Sequence, residues 1–483
     1  MSISSSAPHP SAGVLGADAV ARALRLSLIE APFFALMVGF GETYFVACAV
    51  RLGASPLQLG LTVGLPLALG SAGPILALWL LARHRRRRPL VALSAALQAT
   101  SLVALAAADI AGALDPALLI ALACLYQTCA LAAGTAWSSW YGDLVPAQGR
   151  GRYFARRNRR VQVATLASVL GAGTLLQVVE GGPVVVSEIA GWGFRSIFLL
   201  GALFRTVSAV LLWRSPEPAF AGLSSPERTL RFLRTDRGRG AWRLLGFGAV
   251  FQLTTYLASP YFTPFMLQEL RFTYFELTLA TATVIAAKIL LLPKWGQVID
   301  AHDARVVFTL CAVMAALVPV PWIFGHGLAM ALFAQAFSGA SWAGYELSYF
   351  SVMLASTYRR TRPQSFAAQN ALNGSAQLLG GLAGAWLSSR LGGDFRMVFA
   401  ASAVSRLLLA AAAPAWLPHI APGVPIGRRA VLLRVVGFRP HGGLIHRLVL
   451  PGSPAEEESG ETAEESRADG GAAQSRDTLG ARD

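Results

Sequence analysis

Charge is scarce in this sequence, and that scarcity decides its class. Asp, Glu, Lys and Arg make up 14% of the 483 residues, where a soluble protein carries about 25%. Hydrophobic residues make up 54%, and the mean hydropathy is +0.51. Such a chain belongs in a bilayer. Cysteine is also rare. Cys48, Cys124, Cys129 and Cys311 all fall in apolar runs, with no CxxC spacing and no His/Cys cluster to complete a tetrahedral metal site, so they read as small buried hydrophobes. No glycine loop ends in Lys-Ser/Thr, which argues against ATP as the driving force. The absence of a nucleophile elbow or a His/carboxylate cluster argues against a membrane-embedded enzyme and leaves no cofactor to expect. The first polar segment, residues 1–24, has no charged n-region, short h-region or A-x-A site, so the first apolar helix is expected to remain in the mature fold. Lysine occurs only at Lys288 and Lys294.

What the sequence has in quantity is apolar runs. Twelve stretches reach or approach the roughly 20 residues that a bilayer requires: 27–50, 57–81, 90–111, 116–141, 161–179, 194–213, 244–267, 277–292, 306–324, 328–354, 366–387 and 397–416. All are expected to be helices, because an open strand edge cannot be satisfied in hydrocarbon. The net charge of +15 sits in short clusters between these runs. No stretch interleaves basic and aromatic residues on a soluble face, so nucleic acid is not an expected partner. The clusters at 83–88, 150–160, 214–243, 294–305 and 359–362, and the tail from Arg428, lie on one side. The other side has only sparse charges such as Arg51, Asp109, Asp115, Glu180, Glu188, Glu269 and Arg271. The positive-inside rule makes the first side, with both termini, cytoplasmic in an inner membrane. The chain then divides into a cytoplasmic segment 1–26, a six-helix bundle 27–213, a polar linker 214–243, a second six-helix bundle 244–416 and a tail 417–483. In the tail, 428–450 reads as a membrane-surface element, and from about residue 453 the composition implies disorder.

The two bundles repeat each other. Phe154, Ala155 and Asn158 recur as Phe366, Ala367 and Asn370 at an offset of 212 residues. Phe194-Arg195, Phe198 and Arg205 recur as Phe395-Arg396, Phe399 and Arg406 at an offset of 201. Trp79 with its following basic loop aligns with Trp295 and the loop carrying Gly296, Asp300 and Arg305. Repeats of this length mean a chain built from two similar halves.

On these features the chain resembles the major facilitator superfamily, whose loop motif is a glycine, a following aspartate and nearby basic residues. Gly296, Asp300 and Arg305 fit it, whereas the first-half loop after Trp79 keeps the arginines and has no acid. The fifth stretch also lacks the glycine-proline pattern associated with drug/proton antiporters. The resemblance implies an all-α, polytopic membrane protein of twelve transmembrane helices in two pseudo-symmetric six-helix bundles. It implies alternating access about a midplane site, with the first, fourth, seventh and tenth helices lining the cavity. Those helices carry Glu42, Tyr44, Tyr126, Gln127, Trp137, Gln252, Tyr256, Gln335, Trp342 and Glu346. The function implied is secondary active transport of a small organic solute coupled to protons, by a monomer. A uniporter, an exporter without proton coupling, and a non-transporting receptor or assembly factor on the same fold stay open.

An ionised carboxylate at Glu42 costs several kcal/mol unless paired, hydrated or protonated. It reads equally as the proton-coupling site, with Arg205 as an alternating partner, and as a structural hydrogen-bonding group. Glu346 reads as a cavity acid or as a partner for Arg406. The matched Arg205 and Arg406 read as structural, and Lys288 as a lysine snorkelling to the surface. Gly380 and Gly384 form a GxxxG suited to close helix packing. Asp143 with Arg150 and Arg152, together with Gly296, Asp300 and Arg305, forms the expected cytoplasmic gate. The orientation is testable. Cysteines introduced at Arg85 or Arg231 in a cysteine-free background should be labelled only from the cytoplasmic side, and labelling from outside in intact cells would invert the topology.

Overall fold

The computed structural model describes residues 15–145, 150–180, 192–219, 236–301, 304–357 and 362–416. The expected surface element at 428–450, the tail from 453 and most of the linker lie outside them. The described residues are helical and contain no strand. Among them, nine segments are long and apolar enough to cross a membrane. Three more long helices, Asp236–Tyr256, Gly327–Ala355 and Arg362–Arg390, occupy the stretches expected as the seventh, tenth and eleventh spans.

Helix starts follow local chemistry. Ser55 and Gln58 cap each other reciprocally ahead of Pro56, at the start of the second span. Asp115 accepts the Leu118 N–H ahead of Pro116, at the start of the fourth. Such caps satisfy amides that the first helical turn leaves open.

The two halves pack by one plan. In the first half Ala17–Phe40 packs on Arg150–Glu180 and Trp192–Arg214, and Arg87–Ile110 packs on Trp192–Arg214 and Pro116–Leu144. In the second half Asp236–Tyr256 packs on Arg362–Arg390 and Phe395–Trp416, and Ala304–Leu317 packs on Phe395–Trp416 and Gly327–Ala355. Each pair in one half has its counterpart in the other.

The halves meet along two seams, Pro56–Gly70 against Arg362–Arg390 and Arg150–Glu180 against Tyr274–Ala301. The first seam is backbone on backbone. A Cβ added at Gly60 would lie 2.8 Å from the Gly381 carbonyl oxygen, one at Gly64 2.8 Å from Leu378 Cα, and one at Gly374 2.6 Å from the Leu67 carbonyl oxygen. In lipid, where burial of apolar surface gives no drive, such close approach is what holds helices together. Gly380 and Gly384 lie instead against Leu253 and Leu257, within the second half.

Burial shows that the seams join only one end of the molecule. A single cluster of buried side chains runs from Met37, Phe45 and Phe198 of the first half to Phe265, Trp322 and Phe399 of the second. At the arginine-rich end there are two separate clusters, one around Trp140 and Tyr141 and the other around Phe247, Phe308 and Tyr345. The halves are thus closed together at the arginine-poor end and parted at the arginine-rich end.

Candidate functional site

The first span is interrupted at Gly41, where φ −107° and ψ −82° leave the helical region. It resumes as Phe45–Arg51 after the tight turn Glu42–Tyr44. The seventh span is interrupted in the same way, Asp236–Tyr256 giving way to the turn Ser259–Tyr261 and then Phe262–Pro264. Both turns end in Tyr-Phe, Tyr44-Phe45 and Tyr261-Phe262, at an offset of 217 residues. Irregular backbone at membrane depth persists only where protein buries it or a cavity receives it. Both conditions are met around these turns.

The tyrosines take the buried role. The Tyr44 hydroxyl donates to the Val169 carbonyl at 2.9 Å and lies 2.9 Å from Thr278 Oγ1 in the opposite half. The Tyr261 hydroxyl donates to the Gly381 carbonyl at 3.0 Å and reaches the Pro56 carbonyl of the opposite half at 3.3 Å. Each half therefore contributes one tyrosine that bolts the closed end. Tyr44, expected in the cavity, lies inside this closure. Tyr261 was not singled out by sequence, although the repeated Tyr-Phe would have revealed it.

Glu42 takes the cavity role. It lies deep in the molecule and is nevertheless exposed, as a group on the wall of an open cleft would be. Tyr126 donates to Glu42 Oε2 at 3.1 Å and also approaches Met37 Sδ at 2.8 Å. Among the described residues Glu42 forms no ion pair. Its expected partner Arg205 is engaged elsewhere: the guanidinium donates twice to Gln98 Oε1, donates to Ser208 Oγ at 3.0 Å and stands 4.0 Å from Glu30. Tyr256, from the other half, is within electrostatic range of both Glu42 and Glu346.

Glu346 does not pair with Arg406. Lys288 Nζ donates to Glu346 Oε1 at 2.8 Å, so Lys288 is an ion-pair partner rather than a snorkelling lysine. Arg406 is buried and gives its two terminal nitrogens to backbone carbonyls, Ala315 at 3.1 Å and Thr255 at 2.9 Å. Thr255 is at the break in the seventh span, where the interrupted ladder leaves carbonyls in need of donors. Both matched arginines are thus structural.

Gln127, Gln252 and Gln335 are partly buried on the expected cavity helices, and Gln127 packs against Gly70 of the second span. Trp342 stands edge-on to Phe251 and Tyr345 within the second half. Trp137 stacks on Tyr141 with ring centroids 4.7 Å apart and carries the Arg157 guanidinium 4.1 Å above its ring. Arg157 in turn donates to Glu30 Oε2 at 3.1 Å. This buried group of Glu30, Arg157, Arg205 and Ser208 was missed, although Glu30 is an acid one turn inside the first apolar run.

At the arginine-rich end Asp143 pairs with Arg87; the side chains of Arg150 and Arg152, its expected partners, lie outside the described residues. Arg87 is fully buried and also donates to the Ser139 and Pro218 carbonyls at 3.0 and 3.1 Å, with Glu217 3.5 Å from its Nε. The acid missing from the first-half loop therefore arrives from the fourth span and from the segment after the sixth. A Cβ at Gly296 would meet Leu347 at an ordinary contact distance of 3.8 Å, and the side chains of Arg152 and Asp300 lie outside the described residues.

Residues 244–440 match the family model described as Major Facilitator Superfamily. The fold is shared with a bacterial homologue of the human lysosomal transporter Spinster in an inward-facing, unoccupied conformation, with 14% identity, coverage of 87% of this chain and 97% of that one, and a TM-score of 0.57. A D-xylose-proton symporter has 15% identity, coverage of 83% and 97%, and a TM-score of 0.60. An auto-inhibited POT family peptide transporter has 9% identity, coverage of 84% and 99%, and a TM-score of 0.66. No curated protein matches the sequence. The second half of the chain thus matches the major facilitator superfamily, and the chain as a whole has the fold of these transporters. Its apolar, membrane-length helices make it a multi-pass membrane protein.

The tyrosine bolts make a measurable claim. A hydrogen bond contributes about 1 kcal/mol net, so Tyr44→Phe with Tyr261→Phe should favour opening of the closed end by about thirtyfold. The readout is maleimide modification of Cys48, which is fully buried in the closed-end core, with the other three cysteines replaced by alanine. The double variant should react about ten- to thirtyfold faster than its parent. An unchanged rate would show that the hydroxyls do not hold the closure.

Proposed function

We propose that the chain is a secondary active transporter that moves a small organic solute across the inner membrane by alternating access, driven by protons exchanged at Glu42. The arginine-rich end faces the cytoplasm, so the open cleft is an inward-facing one, and the transporter acts as a monomer. The observation that carries this reading is the setting of Glu42: an exposed carboxylate at a helix interruption, held by one tyrosine hydroxyl and by no cation among the described residues. A structural acid in lipid is paired, as Glu30 is with Arg157. Leaving an acid unpaired at such depth is costly unless its protonation is used.

The solute site is the space bounded by Glu42, Tyr126 and Gln127 on one side and by Gln252, Tyr256, Gln335, Trp342 and Glu346 on the other. Asp143, Arg152, Gly296, Asp300 and Arg305 form the cytoplasmic gate, which closes when the tyrosine-bolted end opens. A carboxylate with equal proton affinity in both states would couple nothing. The burial that Glu42 would undergo on closure of the cleft supplies the required difference.

The test begins with pyranine-loaded proteoliposomes exposed to a panel of sugars, nucleosides, dipeptides and organic amines. A solute that moves protons identifies substrate and coupling together. Glu42→Gln removes the titrating group with little change of shape, so it should abolish accumulation on a pH gradient while leaving solute exchange at a substantial fraction of the parent rate. Accumulation by the Gln variant equal to that of the parent would exclude Glu42 as the coupling residue. Transport by the parent without proton movement would favour uniport.

A further inference from the structure

The arginine run 85–88 is not consumed by the gate. Of its four guanidinium groups, only that of Arg87 turns inward, where Asp143, Ser139 and Pro218 take it up. The carboxylate of Glu217 receives the backbone N–H groups of Arg87 and Arg88, the latter at 3.0 Å. The start of the Arg87–Ile110 helix is therefore already capped, and Glu217 is already occupied. Among the described residues Arg85, Arg86 and Arg88 form no side-chain ion pair. They line a cavity of about 360 Å³ together with Trp213, Glu217 and Pro218.

Two further features give this cavity a direction. Arg85 has φ 53° and ends the Ala72–His84 helix in the left-handed region, a conformation that is unusual for a residue with a side chain. Arg88 stands over the ring of Trp213, 5.5 Å from its centroid. Trp213 is exposed in the last turn of a membrane span. Exposed tryptophans at span ends sit at headgroup level, so the cavity opens where lipid phosphates are. Guanidinium groups match phosphate oxygens with paired, charge-assisted hydrogen bonds, and basic pockets between spans on the cytoplasmic side take anionic headgroups.

We propose that this cavity is a binding site for a phosphate ester, held by Arg85, Arg86 and Arg88 beside Trp213, with an anionic phospholipid headgroup as its source. The site is separate from the solute cleft and does not depend on what the transporter carries. A bound headgroup would tie the segment after Trp213 to the loop between the second and third spans, at the point where the first half hands over to the linker.

The test is thermal unfolding of the purified full chain in neutral detergent with added cardiolipin, phosphatidylcholine or inorganic phosphate. Cardiolipin should raise the midpoint above that with phosphatidylcholine. The variant Arg85→Gln/Arg86→Gln/Arg88→Gln should lose more than half of this rise. Arg22→Gln/Arg25→Gln/Arg159→Gln removes equal charge from other exposed sites and should keep it. If inorganic phosphate produces the same rise, abolished in the first variant and retained in Trp213→Ala, the phosphate site stands and its ligand comes from water. The proposal is overturned if neither phosphate source raises the midpoint, if the first variant keeps the full rise, or if both variants lose it equally.

Discussion

The rest of the structure depends on the requirement that a backbone in hydrocarbon satisfy its own hydrogen bonds. That requirement makes every apolar run a helix, and it makes each departure from helix informative. The described spans are interrupted at membrane depth at Gly41–Tyr44 and at Leu257–Tyr261, the matching places in the two halves. Each interruption is stabilised by groups brought from elsewhere. Arg406 and Ser402 donate to Thr255 and Thr254 carbonyls at the second break, and the tyrosines at the ends of both turns reach across to the other half. The same local fault that bolts the closed end leaves Glu42 beside the open cleft, so the closure and the proposed coupling residue are two faces of one turn.

The second constraint is the absence of a hydrophobic drive between helices in lipid. Association then rests on contact distance, and the seam between the second and eleventh spans is built from glycines that let backbones touch. Such a seam is short-ranged, and so it suits a joint that must part. By contrast, the contacts inside each half include charge networks, largely buried Glu30 with Arg157 and buried Arg87 with exposed Asp143. Removing one partner of a buried pair such as Glu30–Arg157 costs about 3–5 kcal/mol. The difference predicts where the molecule hinges: the halves move as units, and the glycine seam and the two tyrosines yield.

Much of this fold was legible in the sequence because hydropathy and duplication are properties of whole segments. The two halves, their helical spans and the resemblance to major facilitators follow from run lengths and from repeats such as Phe154/Phe366 and Arg205/Arg406. Pairing was not legible, because it depends on the rotation of each helix about its axis, which an apolar run does not specify. Glu346 therefore found Lys288 rather than Arg406, Asp143 found an unforeseen partner in Arg87, and Tyr44 went to the closure instead of the cavity. Glu30 was hidden by its surroundings, an acid in a run apolar enough to average it away.

The central claim is that closure at one end and separation at the other are alternatives exchanged by the same two rigid halves. Spin labels at exposed Gly53 and Gly392 report the arginine-poor end, and labels at exposed Arg85 and Gln297 report the arginine-rich end. Pulsed electron paramagnetic resonance in lipid nanodiscs at acidic and alkaline pH should show two populations for each pair, the short distance at one end growing as the long distance at the other grows. A single distance for each pair, unchanged by pH, would contradict the account.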